Sequence, residues 1–327
     1  MEKLGEVLFL SRDDIECVLT PKDALEICDQ TFKWVNAGEI DQLNVGPLNM
    51  PRIEGYKGAP RFRVYPAHVK PLGAVGMKWL SVYPHNPPRR LPFSMAVDIL
   101  NDFETSAPVA IMEGMSITSM RTAGFAAVGA KYLAKKDTEI IAVIGCGFEG
   151  RTHLRLMNEL FKIKEVRACD MFPAVREMFC REMGEKLGLN IVPSKTIEEA
   201  VKCSDVICEV TTSENPTLSP EWVEPGQYIA ASNIWGAGPE LMRMVDKWVL
   251  GNVERDLSWI EANPAYPKDS IYAGLDEIVA RKKPGRENDE EIILLTHHGM
   301  SALDISTMRI VYERALQKGV GTKLKLF

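Results

Sequence analysis

Runs of basic residues are missing from this 327-residue chain, whose 39 Lys and Arg against 45 Asp and Glu leave a formal net charge of -6. Without a basic stripe there is no electrostatic footprint for nucleic acid. Also absent is any stretch of roughly 18 apolar residues, so no membrane-spanning helix is expected. The start, Met1 to Leu10, carries an apolar patch too short and too acidic for a signal peptide, which makes a cytoplasmic location the expectation. No Cys-x-x-Cys occurs among the seven cysteines. Their odd number and scatter read as buried thiols in a reducing compartment, not as a disulfide framework. Cys203 and Cys208 have no histidine nearby, and the five histidines join no acid at metal-ligand spacing, so no metal site is expected. A Gly-x-Ser-x-Gly elbow for acyl chemistry is lacking, as are repeats and low-complexity tracts.

What remains is ordinary globular composition, 46% hydrophobic and 26% charged, in a chain about twice the usual domain length, which favours two domains. The first forty residues read as a strand, Val7 to Leu10, and two helices, the second opening at Thr20-Pro21 with Ala24, Leu25, Cys28 and Phe32 at helical spacing. Short β-type runs follow at Phe62 to Tyr65, Gly73 to Val82 and Met95 to Leu100. Residues 118 to 135 form a small-residue-rich helix with Thr118 or Ser119 as N-cap. Strands and helices then alternate: strand Ile140 to Ile144, a helix from Gly150, strand Glu165 to Cys169, a helix from Pro173, and strands at Asp205 to Val210, Tyr228 to Ser232 and Lys247 to Leu250. That rhythm predicts a doubly wound parallel sheet, a Rossmann-type α/β domain. Ile271 to Ala280 reads as a helix and Ile292 to Leu295 as a strand. The final helix, Ser301 to Leu316, has no sheet of its own left to cover and is expected to return to the N-terminal domain.

Gly145-Cys146-Gly147-Phe148-Glu149-Gly150 is a Gly-x-Gly-x-x-Gly loop. It follows the apolar strand Ile140 to Ile144 and opens a helix, so its glycines suit a tight turn that admits a pyrophosphate to the helix N-terminus. The bland alternative is a glycine-rich turn that binds something else. Asp170 stands twenty residues after Gly150, where a carboxylate accepts hydrogen bonds from ribose hydroxyls and repels a 2′-phosphate. Met171 and Phe172 follow with no adjacent Arg or Lys, so NADH is expected over NADPH. Lys78 lies in the apolar run Ala74-Val-Gly-Met-Lys-Trp-Leu, where an ammonium needs an anion unless it snorkels from a half-exposed strand. Arg121, near the start of the small-residue helix, suits capture of a carboxylate, or a salt bridge to Glu113.

Together with Gly76-Met-Lys-Trp, Ser116-Ile-Thr-Ser-Met-Arg-Thr-Ala, Glu221-Trp-Val-Glu-Pro-Gly and Gly299-Met-Ser-Ala-Leu-Asp, these residues resemble the ornithine cyclodeaminase and mu-crystallin family over nearly the whole chain. The resemblance implies a Rossmann domain, 121–298, inserted into a discontinuous α+β substrate and dimerisation domain, 1–120 plus 299–327, in a homodimer. It further implies hydride exchange at the carbon bearing an amino acid's nitrogen. Lys78 and Arg121 match the family's substrate-carboxylate residues, and Lys78 also its proton-transfer lysine. Arg52 matches a further substrate arginine, with Arg61 and Arg63 as rivals. Thr122 would face the cofactor pyrophosphate, and Asp170, Met171, Thr211, Ser232 and His297 complete the cofactor set with the glycine loop.

Two departures from the family pattern qualify this. Ornithine-cyclising members carry a proton-accepting aspartate after the strand matching Tyr228 to Ser232, whereas this chain reads Ala231-Ser-Asn-Ile-Trp-Gly-Ala-Gly-Pro, with no acid before Glu240. His297 stands where serine is usual, and it or His298 is a candidate general acid, paired histidines at a strand end being otherwise structural. His85 belongs to a loop bordering the Lys78 strand. The leading expectation is an NAD(H)-dependent imine reductase or amino acid dehydrogenase acting on a small imino or amino acid. Ornithine cyclodeamination with bound NAD, and ligand binding without turnover, are the alternatives.

Overall fold

The computed structural model describes residues 5–52, 54 and 59–326, so the first four residues of the apolar start lie outside it. The chain divides into two compact units, one from Met1–Arg121 with Met300–Phe327, the other Thr122–Gly299.

The first unit is built on a sheet whose strands run Thr322–Lys325, Glu6–Leu10, Pro108–Glu113, Ser94–Asp102, Ala74–Val82, Arg61–Val69 and Ile40–Gln42, with Leu48–Asn49 also paired to Arg61–Val69. Glu6–Leu10 and Pro108–Glu113 are parallel, and the other ladders antiparallel. Two-residue alternation divides the side chains between the faces. One cross-strand row on the inner face reads Leu10, Met112, Asp98, Lys78, Tyr65.

That face is covered by helix Ser301–Lys318, which returns as expected and lies on Arg61–Val69 and Ala74–Val82. It also packs on helix Pro21–Asn36, whose start combines a Thr20–Asp23 capping box with proline in its first turn. Arg314 bridges the two helices through Asp23, with Nη2 donating to Oδ1 at 2.6 Å. Gly76 lies against both the next strand and the long helix, since a Cβ there would stand 2.5 Å from the Ile99 carbonyl of strand Ser94–Asp102 and 3.3 Å from Ile305 Cδ1.

Several boundaries differ from the sequence reading. Helix Gly114–Leu133 starts ahead of Thr118 because the Glu113 carboxylate accepts from the Met115 and Ser116 amides, each at 2.9 Å, and so does the work of a capping hydroxyl. Ile271 to Ala280 is not one helix. Ile271–Gly274 joins the second sheet as its outermost strand, and only Leu275–Val279 is helical. Strand Thr322–Lys325 was not expected. The cysteines also divide: all seven are free, but Cys17 and Cys203 are exposed and Cys180 is partly so, and only Cys28, Cys146, Cys169 and Cys208 are buried.

The second unit carries a wholly parallel sheet in the order Ile191–Pro193, Glu165–Cys169, Ile140–Ile144, Val206–Glu209, Tyr228–Ala231, Ile293–Thr296, Lys247–Leu250, Ile271–Gly274. Strands covered on both sides read as continuous apolar runs, and the central ones here are buried throughout. Strand order reverses between Ile140–Ile144 and Val206–Glu209, and the crevice outside the carboxyl ends at such a switch is where open α/β sheets take ligands. Among the described residues no helix is long and apolar enough to cross a membrane.

Replacing Gly76 by Val is expected to lower stability by roughly 1–3 kcal/mol through overpacking against backbone, measured by urea denaturation. A variant as stable as the parent would show that the helix does not rest on this strand.

Candidate active site

In the first unit, three distant residues converge. Lys78 lies mid-strand on the covered face, and its Nζ donates to both oxygens of Asp304, at 2.7 and 2.8 Å. Arg121, on helix Gly114–Leu133, donates through Nε to Asp304 Oδ1 at 2.8 Å. Lys78 and Asp304 are completely buried and Arg121 is 6% exposed. Lys78 does not snorkel, and Arg121 pairs with Asp304 while Glu113 caps the helix. The Lys78 ammonium also lies 4.6 Å from the centre of the Tyr65 ring.

Burial works against the charge on every member. It would raise the Asp304 carboxyl, but Arg121 and Lys78 outweigh it and hold Asp304 below the usual carboxylate range. Lys78 is pushed down by burial and by Arg121, against the pull of Asp304. Two cations on one carboxylate leave this cluster with a surplus positive charge, suited to a small carboxylate ligand.

Asp98, next to Lys78 in the cross-strand row, was not foreseen. It is fully buried, neither carboxyl oxygen has a hydrogen-bond partner among the described residues, and burial followed by the nearby Asp304 pushes it well above the usual range. Its sequence signal was an acid at an inward position of an otherwise apolar strand, Met95-Ala-Val-Asp-Ile-Leu. Asp304 had a comparable signal in the apolar face of the last helix, but its partners could not be read from spacing. Of the three arginines named above, Arg52 is exposed, whereas Arg63 Nη1 donates to Tyr65 Oη at 3.4 Å.

The second unit gathers the dinucleotide motif at the carboxyl ends of its strands. Gly145 adopts a φ of 102°, and a Cβ there would stand 2.9 Å from the Val210 carbonyl and 3.2 Å from the Thr211 amide. Gly150 allows the helix to close on the turn, since its Cβ would fall 2.2 Å from the Gly145 carbonyl, while space over Gly147 is open. Helix Phe148–Met157 has Gly147 as its N-cap residue, which carries no capping side chain, the kind of helix start that suits a phosphate. Asp170 accepts from the Cys146 amide and the Phe172 amide, both at 2.9 Å, which fixes its carboxylate beside the loop. Met171 projects into solvent at 84% exposure. Thr211 donates through its hydroxyl to Glu209, at 2.6 Å, and Ser232 Oγ lies 3.4 Å from His153 Nε2. Thr122 is buried in helix Gly114–Leu133. An open glycine turn at a helix start, with an acid fixed beside it, fits a dinucleotide.

Glu209 was also missed. It is fully buried at its strand end, and a Cβ on Gly236 would meet its Oε2 at 2.3 Å, so this acid abuts the segment that lacks the family aspartate. The two histidines separate. His297 lies flat on Phe125, with ring centres 4.1 Å apart and planes 3° apart. His298 Nδ1 lies 2.8 Å from Asp256 Oδ1, and its ring lies 5.5 Å from both Trp235 and Trp259.

A parallel sheet with a glycine turn opening a helix, and an acid at the end of the next strand, defines the dinucleotide-binding class of α/β proteins. Within that class the chain belongs to the ornithine cyclodeaminase/mu-crystallin family, whose model matches residues 6–319. It is 33% identical to an N-((2S)-2-amino-2-carboxyethyl)-L-glutamate dehydrogenase from Staphylococcus aureus over 98% of this chain and 99% of that protein. A Thermococcus litoralis Δ1-pyrroline-2-carboxylate reductase, solved with NADH and L-proline, is 31% identical with a TM-score of 0.89, covering 97% of this chain and 100% of that one. An archaeal alanine dehydrogenase dimer with bound NAD is 30% identical with a TM-score of 0.87, covering 98% and 100%.

Because breaking a buried ion pair strands the remaining charge, Asp304→Ala is expected to cost roughly 3–5 kcal/mol, read from chemical denaturation at neutral pH. A loss below about 1 kcal/mol would show that Lys78 and Arg121 find other anions. The pH sense follows from the lowered Asp304 value: its contribution is present above the ordinary carboxylate range and is lost as pH falls through the folded-state value.

Proposed function

We propose that this protein is an NAD(H)-dependent oxidoreductase that acts on the carbon–nitrogen bond of a small imino or amino acid. The observation that carries the reading is the buried convergence of Lys78 and Arg121 on Asp304 in a chain that also holds a complete dinucleotide turn. Relatives at 30% identity or more are dehydrogenases and a reductase of amino and imino acids, which supports the same chemistry.

Lys78 and Arg121 would take the substrate carboxylate, sharing their donors between it and Asp304. Arg63, through Tyr65, is a better placed third cation than the exposed Arg52. The glycine loop from Gly145 to Gly150, with Phe148 and Glu149 in the first turn, Thr122, Thr211 and Ser232 would hold the cofactor, and Asp170 with Met171 its adenosine ribose. Bound NADH would supply hydride to the carbon of a C=N bond. The proposal gives the accompanying proton to the carboxylate-holding cluster around Lys78. His297, stacked on Phe125, serves as a wall of the cofactor site. Preference for NADH rests on Asp170, whose charge repels a 2′-phosphate. The protein is proposed to be cytoplasmic and homodimeric, as the alanine dehydrogenase relative is a dimer. Its outer sheet face would supply the contact, since Phe9, Trp79, Met95 and Val97 are each about two-fifths exposed or more.

Wild-type protein is expected to oxidise NADH with Δ1-pyrroline-2-carboxylate or an acyclic α-imino acid, and NADPH much more slowly. Asp170→Ser is expected to raise the KM for NADH about tenfold and narrow the gap to NADPH. Proline and ammonia from ornithine would establish the cyclodeaminase alternative, and binding of NADH with no turnover of any substrate would establish the ligand-binding one. Trp79→Glu is expected to yield monomers in analytical ultracentrifugation, and an unchanged dimer would place the contact elsewhere.

A further inference from the structure

A carboxyl group that is completely buried and unbonded has given up its hydration without compensation inside the protein, a cost that persists only when something offsets it. Asp98 is such a group. Its inward neighbours on the strand, Ala96 and Leu100, are buried and apolar, and the alternation calls for an apolar residue between them. Instead the fold makes room for an acid. Gly114 opens the adjacent helix, and a Cβ on it would stand 2.6 Å from Asp98 Oδ1 and 2.7 Å from Ala96 Cβ.

The position matters because Asp98 is the cross-strand partner of Lys78. Side chains so paired have Cβ atoms roughly 5 Å apart on one face. A substrate whose carboxylate is held at Lys78 and Arg121 has its nitrogen two bonds from the carboxylate carbon, within reach of the next side chain in the row.

Accounting for the protons points the same way. Arg121 does not release one. Asp304 is held ionised between two cations, and two of the three N–H bonds of Lys78 are spent on its oxygens, which leaves the third for the substrate carboxylate. Asp98 is left as the member of the cluster free to hold and exchange a proton. The groups around it are Lys78, Arg121, Asp304 and Glu113, and burial with Asp304 drives it toward the neutral acid.

We infer that Asp98 is the catalytic acid and base that meets the substrate nitrogen. This rests on the oxidoreductase reading above. In the reductive direction the O–H bond of Asp98 breaks and an N–H bond forms. The C=N carbon gains the hydride that NADH supplies, so the imine is reduced, NADH is oxidised, and Asp98 remains as carboxylate until water returns its proton. In the oxidative direction the same carboxylate takes the proton from the amine.

The test compares wild type with Asp98→Asn, which keeps size but cannot exchange a proton, and Asp98→Leu, which the apolar strand should accept. With Δ1-pyrroline-2-carboxylate and saturating NADH, both variants should lose kcat by about 100-fold or more, with the KM for NADH within about twofold. Infrared difference spectra of wild type minus Asp98→Asn should contain the carbonyl band of a protonated carboxyl. Variants within about threefold of the wild-type kcat, a loss confined to KM, or no protonated carboxyl would each overturn the assignment while leaving the oxidoreductase reading intact. A wild-type enzyme silent on every imino and amino acid would instead overturn that reading and this one with it.

Discussion

The carboxylate of Asp304 is the constraint on which the first unit turns. It takes three hydrogen bonds from two cations that lie 226 and 183 residues away in the chain, and all three groups are withdrawn from water. Isolated burial of any one would cost several kcal/mol, so the cluster exists only if the strand carrying Lys78, the helix carrying Arg121 and the C-terminal helix carrying Asp304 are all in place. The C-terminal segment is therefore no appendage. Its return closes the covered face of the sheet, with Ile305 against the bare backbone of Gly76.

The second unit obeys a simpler rule. Its central strands are buried on both faces and need only continuous apolar runs, while the glycine turn and its polar neighbours collect where those strands end. Asp170, Thr211 and Glu209 are all strand-end residues tied to the backbone or to one another, so the polar chemistry is fixed by short-range bonds. This difference between the units has a functional sense. On the proposed reading, a cofactor common to many enzymes would be met by backbone geometry, and a particular substrate by side chains drawn from far apart.

The same difference decides what could be read from sequence. Ile140 to Ile144 followed by three glycines and then Asp170 is a local pattern, and its physics is local, so the Rossmann turn was legible. Lys78 and Arg121 were legible as charges in the wrong surroundings, because an apolar run demands an anion for each. The identity of that anion was not, since nothing within a helix turn of either residue points to Asp304. Asp98 and Glu209 escaped for a related reason: an acid in a strand reads as a solvent-facing position until the register shows which face it occupies. The helix beginning at Gly114 was misplaced because its cap is a glutamate side chain and not the hydroxyl that the pattern offered.

The departures from the family pattern acquire physical content once the side chains are placed. The acid-free stretch from Ser232 to Pro239 is abutted by Glu209 and by the aromatic surroundings of His298, whereas the buried acid beside Lys78 belongs to the sheet of the other unit. An enzyme of this kind should still move hydride to the same carbon. The most direct test is to incubate the protein with NADH deuterated at nicotinamide C4 and Δ1-pyrroline-2-carboxylate, and to locate the label by mass spectrometry. Deuterium on the product carbon that bears nitrogen is the predicted result, and product without label at that carbon, or label left wholly on the nicotinamide, would contradict the account.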